Sequence, residues 1–208
     1  MKTQVLSASS SDALPLAYEV LKGGGLVAFP TDTVYGLGAL AFDGSAVESL
    51  YAAKDRPAEK AIPVLIADPE DLVKVSPHAP PIVLKLAARF WPGPLTLVVP
   101  KPPDLPESVS ATPTVGVRLP DHPVARALLR LAGPMAVTSA NRSSQPTPVT
   151  AEDVLRQLDG LIPLVLDGGR TPGGVPSTVV DCTGEDLHIL REGPISKDEI
   201  LAFRGHGL

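Results

Sequence analysis

The chain has 208 residues, a formal net charge of -5 at pH 7, 44% hydrophobic and 20% charged residues. This length and balance suit one globular domain and exclude a disordered chain or a globally basic nucleic-acid binder, so any nucleic-acid contact needs a local patch. The one cysteine, Cys182, excludes an internal disulfide framework, and no apolar run is long enough to cross a bilayer.

Met1-Lys2-Thr3-Gln4 leads into a polar serine cluster instead of a hydrophobic signal core, which reads as a cytoplasmic protein with no membrane contact. Leu26–Phe29 reads as a buried strand ending at Pro30. Ala46–Lys54 is a helix by its spacing, with Val47, Leu50, Tyr51 and Lys54 three or four apart. Pro63–Ala67 is a strand, and Ile82–Phe90 a helix stopped by Trp91-Pro92-Gly93-Pro94. Leu95–Val99 and Val115–Leu119 are strands on either side of a proline-rich loop, Lys101–Pro113. A helix at Val124–Leu131, a strand at Met135–Thr138 and a helix at Ala151–Leu158 with Thr150 as N-cap follow. Leu164–Leu166, Ser177–Cys182 and Leu187–Leu190 are strands, and Ser196–Phe203 is a closing helix. Several strands succeed each other without a helix between them, so the α/β domain has a mixed sheet.

Common nucleotide and metal motifs are missing. The segment Gly168–Gly174 lacks the lysine of a phosphate loop and leads into a strand, where a helix would be needed. Gly36-Leu37-Gly38 lacks a third glycine, and His78, His122, His188 and His206 have no metal-ligand spacing. Polar residues gather instead where strands end, a common place for sites in open α/β sheets. These are Pro30–Gly38, Lys54-Asp55-Arg56-Pro57, Trp91–Thr96, Val117–Pro120, Thr138–Asn141, Ser177–Asp181 and Leu190–Gly193.

That ordered set resembles the YrdC-like family of threonylcarbamoyl-AMP synthases over about residues 26–195, in its short form. The resemblance implies a single domain over residues 1–208, with a motif-bearing core at about 10–195 and an open twisted mixed sheet flanked by helices. It also implies that L-threonine, bicarbonate and ATP, with Mg²⁺ on the nucleotide, give threonylcarbamoyl-AMP and pyrophosphate. A separate transferase complex would carry that product to position 37 of tRNA. No permanently bound metal or prosthetic group is expected.

The family's Lys-x-Arg and Ser-x-Asn pairs fall on Lys54, Arg56, Ser139 and Asn141, which the resemblance places around the phosphates and the reacting carboxylate. Two fixed cations can neutralise a polyphosphate, Arg through planar bidentate contacts and Lys as a point charge. By the same resemblance Thr33, Arg118 and Ser177 bind threonine, and Lys60, Thr114, Thr147 and Arg191 join Arg56 and Ser139 around ATP. Read singly, these residues have plainer roles. Lys54 and Arg56 make a solvated helix end, Thr31, Asp32 and Thr33 cap a loop, and Arg118 and Arg191 pair with Asp121 and Glu192 on the surface. Cys182, Trp91 and Tyr35 are assigned to packing.

The chain departs from the family at Thr138, where members often carry Pro, and at Ser144, which replaces a loop glycine suited to positive φ. Lys60 falls where some relatives have Asn. Two rival readings stand beside the synthase. One is a non-enzymatic module for double-stranded RNA or tRNA, disfavoured by the acidic charge and 4% aromatics. The other is a carbamoyl-transfer domain of a larger maturation enzyme.

Overall fold

The computed structural model describes residues 2–204. Ten strands form one sheet in the order β1-β8-β2-β3-β7-β4-β6-β5-β9-β10. In chain order they are Gln4–Ser7 (β1), Val27–Pro30 (β2), Tyr35–Leu40 (β3), Val64–Leu65 (β4) and Leu95–Pro100 (β5). Thr114–Arg118 (β6), Met135–Ser139 (β7), Leu164–Asp167 (β8), Thr178–Asp181 (β9) and His188–Arg191 (β10) complete it. The α-helices are Ala13–Lys22 (α1), Gly44–Lys54 (α2), Leu72–Val75 (α3), Pro81–Phe90 (α4), Pro123–Ala132 (α5), Ala151–Leu158 (α6) and Lys197–Arg204 (α7).

The sheet is mixed, as the helix-free strand successions require. β8 runs parallel to β1 and β2, β4 to β6, and β5 to β9, while β2/β3, β3/β7, β4/β7, β5/β6 and β9/β10 are antiparallel. Alternation along the strands sorts side chains to two faces. Ala28, Leu37, Val64, Leu97, Val117 and Ala136 pack against α2, α4 and α6 through Val47, Leu50, Val83, Leu86, Val154 and Leu158. Val27, Phe29, Leu65, Met135, Val137 and Leu166 point to the other face, where α1 and α5 bring Ala13, Ala17, Leu21, Ala125, Leu128 and Leu129.

Thr150 caps α6 as read, with its hydroxyl accepting from the Asp153 amide and the Asp153 carboxylate returning to the Thr150 amide. Four elements escaped the sequence, the four-residue α3 among them. β1 is a polar edge strand with no buried stripe, and α1 was not separated from the serine cluster before it. β3 was read as part of a polar loop from Pro30 to Gly38 because Gly36 and Gly38 break its pattern. These glycines pack the sheet closely. A Cβ at Gly36 would lie 2.7 Å from Val137 Cγ1, and one at Gly38 2.6 Å from Met135 Cε.

Candidate active site

Helices α1 and α5 cover the sheet face nearest β2 and β8, and beside them lies a cavity of about 400 Å³. It is built on one face of the sheet: Thr96 and Val98 of β5, Gly116 and Arg118 of β6, Leu65 of the next strand β4, and Val137 and Ser139 of β7. The register sets Thr96 opposite Arg118 and Val98 opposite Gly116, so these four share one face, while Leu97 and Val117 turn to the opposite core. Placement at strand ends was the expectation. Arg118, Ser139 and Arg191 are the last residues of β6, β7 and β10, and Ser177 directly precedes β9, while the rest of the cavity spreads over the sheet face.

Three arginines line the cavity: Arg56, Arg118 and Arg191. Arg118 is 7% exposed and has all three guanidinium nitrogens engaged. Nη2 donates to Asp32 Oδ1 at 2.5 Å, Nη1 to Thr33 Oγ1 at 3.1 Å, and Nε to the Gly93 carbonyl at 3.1 Å. Burial lowers its pKa and Asp32 raises it again. The surface pairing with Asp121 is thus replaced by a buried pair with Asp32. Within that loop Thr31 alone performs the capping task, donating to the Val34 carbonyl at 2.7 Å and accepting from the Thr33 and Val34 amides. Its hydroxyl also lies 3.1 Å from that of Thr33.

Arg191 donates from Nε to the Ser177 carbonyl at 3.0 Å and from Nη2 to Ser177 Oγ at 3.2 Å. Ser177 Oγ lies 2.8 Å from Thr96 Oγ1. These contacts replace the Glu192 pairing and place β10's side chain at the cavity although β10 is an edge strand. Asp32 was read only as a loop cap, and Thr96 carried no role of its own in the sequence reading. Both belong to the quoted motif segments, which was the available signal.

The two signature pairs divide. Arg56 and Ser139 line the cavity, while Lys54 and Asn141 lie behind its wall. Asp55, in the left-handed region at φ 49, turns the chain between Lys54 and Arg56. The Lys54 amino group, 1% exposed as a residue, donates to the Ser139 and Asn141 carbonyls. Burial first, then the nearby Arg56 charge, push its pKa down to about 7. The solvated helix end is therefore incorrect for Lys54, whose nitrogen holds two backbone carbonyls and which is not among the residues lining the cavity. Asn141 Nδ2 donates to the Arg142 and Gln145 carbonyls at 2.8 and 2.7 Å, closing the loop after β7. Arg56 reaches the Lys60 and Ala61 carbonyls through Nε and Nη2.

Thr147 lines the cavity, but Lys60 and Thr114 do not. Lys60 is exposed and contributes its carbonyl to Arg56 and Tyr51. Thr114 sits at the start of β6 beside Thr112, 3.1 Å between hydroxyls. Ser144 adopts φ 65, so the serine occupies the left-handed conformation that the usual glycine would take freely. Cys182 and Trp91 are buried as read. Tyr35 is also buried, yet its hydroxyl donates to the Gly169 carbonyl at 2.7 Å and accepts from the Gly168 amide at 3.2 Å. Among the described residues no group of three or more His, Cys, Asp or Glu could hold a metal ion, and no helix is long and apolar enough to cross a membrane. His206 lies outside the described residues.

Known proteins resemble the chain over most of its length. The chain is 45% identical over 192 residues to the threonylcarbamoyl-AMP synthase of Bacillus subtilis, covering 91% of this chain and 56% of that protein. It is 43% identical over 190 residues to a putative threonylcarbamoyl-AMP synthase of Mycobacterium tuberculosis H37Rv, covering 91% of this chain and 88% of that one. The crystal structure of P. abyssi Sua5 complexed with L-threonine superposes with a TM-score of 0.89 at 42% identity, over 92% of this chain and 57% of that chain. The chain thus spans little more than half the length of the B. subtilis and P. abyssi proteins. A family model described as "Sua5_yciO_yrdC: Telomere recombination" matches residues 19–193, and the chain belongs to the Sua5/YciO/YrdC family.

Proposed function

We propose that this protein is a threonylcarbamoyl-AMP synthase, converting L-threonine, bicarbonate and ATP into threonylcarbamoyl-AMP and pyrophosphate. The observation that carries the reading is the charge of the cavity. Three guanidiniums line it, and one of them, that of Arg118, is bonded to the Asp32 carboxylate. Positive charge in excess, fixed on a rigid sheet, suits a reaction that joins an anion to a polyanion. The names of the B. subtilis and M. tuberculosis relatives and the threonine complex of P. abyssi Sua5 support the same substrates.

In this reading Thr33, Arg118 and Ser177 receive threonine, and Arg56, Ser139, Thr147 and Arg191 receive the nucleotide. The threonine amine first condenses with bicarbonate, with loss of water, to give an N-carboxy-threonine. Its carboxylate then attacks the α-phosphorus of ATP and pyrophosphate leaves. The arginines lower the repulsion between the two anions, and the hydroxyls orient oxygen atoms. Mg²⁺ enters with the nucleotide as part of the substrate. The handover of the product to a tRNA-modifying transferase complex belongs to the same proposal.

Mass spectrometry of the product formed from ATP, bicarbonate and threonine tests the reading, alongside pyrophosphate release with each component withheld. The expected result is an AMP-linked threonylcarbamoyl product that requires all three. Equal pyrophosphate release without threonine would indicate a simple ATPase, and RNA binding with no turnover would favour the RNA module.

A further inference from the structure

We infer that Lys54 is a positioning residue, whose amino group holds the Ser139–Asn141 backbone against the end of α2 and thereby sets the cavity wall. The inference rests on the synthase reading for its kinetic consequence only.

The contacts form a clasp between two segments distant in sequence. Lys54 Nζ donates to the Ser139 and Asn141 carbonyls, and the Lys54 carbonyl accepts from the Ser143 amide at 2.8 Å. Above it, Arg142 donates through Nε and Nη2 to Asp55 Oδ2. Ala140, between the two signature residues, donates its amide to the Tyr35 carbonyl at 2.8 Å, continuing the β3/β7 ladder past its end. The clasp thus fixes Ser139, which faces the cavity, to Lys54, two residues from Arg56, which also faces it.

Two physical points separate this role from direct phosphate binding. Residue Lys54 is 1% exposed, and its nitrogen already serves two carbonyls. Those two bonds need two N–H groups, which both the ammonium and the neutral amine possess, so the clasp survives loss of the charge. An apolar side chain of similar length would leave both carbonyls buried without their donor, and such groups are costly enough to move a loop. Arg56, by contrast, lines the cavity and is the cation available to a bound anion from this end of α2.

Lys54→Met tests the assignment by two readouts. Hydrogen exchange should accelerate at residues 139–145 while α5 and β2 keep their protection. Turnover in threonine-dependent pyrophosphate release should fall by about tenfold or more, with KM for ATP changed by less than about threefold, the pattern of misplacement without lost ground-state binding. Pyrophosphate binding, followed by calorimetry without the other substrates, should stay within about threefold of wild type. Loss of pyrophosphate affinity with intact protection at 139–145 would overturn the inference and make Lys54 a phosphate ligand. Should Lys54→Met fail to fold, the wild-type protein decides by nitrogen NMR of its lysine Nζ groups. The Lys54 signal should stay in place when pyrophosphate is added, and a large shift with slowed exchange on pyrophosphate would refute the positioning role. If wild type shows no threonine-dependent turnover, the synthase reading fails, whereas exchange and NMR still decide which groups Lys54 holds.

Discussion

Replacing Arg118 by lysine keeps the charge and removes the fork. The guanidinium makes three hydrogen bonds in a buried position, to Asp32 Oδ1, Thr33 Oγ1 and the Gly93 carbonyl. A lysine ammonium on its flexible stem can keep the Asp32 contact but cannot reproduce the planar set. Two bonds from a charged donor are lost, at about 1.5–3 kcal/mol each before relaxation, and the retained ion pair and a repositioned ammonium recover part of that. The expected net loss is about 2–4 kcal/mol of stability, which for a domain of this size lowers Tm by roughly 4–16 °C. Threonine binding should weaken by about 1–3 kcal/mol, with ATP affinity much less affected. Thermal denaturation and calorimetric titration of each ligand measure both effects. A companion variant, Arg118→Met with Asp32→Leu, removes the buried pair together and should be more stable than Arg118→Met alone, because no carboxylate is left unpaired. Unchanged Tm in Arg118→Lys would refute the account of Arg118 as a fixed fork, and a loss of ATP affinity with threonine affinity intact would move it to the nucleotide side.

Ser144→Gly relieves about 1–2 kcal/mol of left-handed strain against about 0.4–1 kcal/mol of added freedom in the unfolded chain, so a net gain of about 0.5 kcal/mol is expected as a higher urea midpoint at constant m. A lower midpoint would show that the serine side chain stabilises the loop. Tyr35→Phe leaves the Gly168 amide and the Gly169 carbonyl without their partner, costing about 1–3 kcal/mol, with faster amide exchange at Gly168. Unaltered exchange there would mean that packing alone accounts for Tyr35. Lys54 should make stability pH-dependent in a definite direction, since its folded pKa of about 7 lies below the ordinary 10.5. Between these values the unfolded chain holds the proton more often than the folded one, so stability rises with pH by up to about 1.4 kcal/mol per unit. Urea titrations from pH 7 to 10 should show that rise shrinking in Lys54→Met, and identical slopes in the two proteins would mean that the carbonyls keep the folded lysine charged.

The sequence by itself determined the elements whose signals are local. α6 with its Thr150 cap follows from residues within one turn, and the buried strand ending at Pro30 follows from a short apolar run. The order of the polar segments also carried the family, and seven of the residues it assigned, Thr33, Arg56, Arg118, Ser139, Thr147, Ser177 and Arg191, line the cavity. Tertiary structure decided what those residues touch. β3 forms because Gly36 and Gly38 let Val137 and Met135 side chains approach its backbone, a gain that no propensity of glycine records. Asp32 meets Arg118 across 86 residues, and Lys54 reaches Ser139 and Asn141 across 85 and 87. A lysine at a helix end reads as solvated because the local chain supplies no partner for it. Here the partners are two carbonyls brought by β7, and only the pairing of β7 with β3 and β4 puts them within reach.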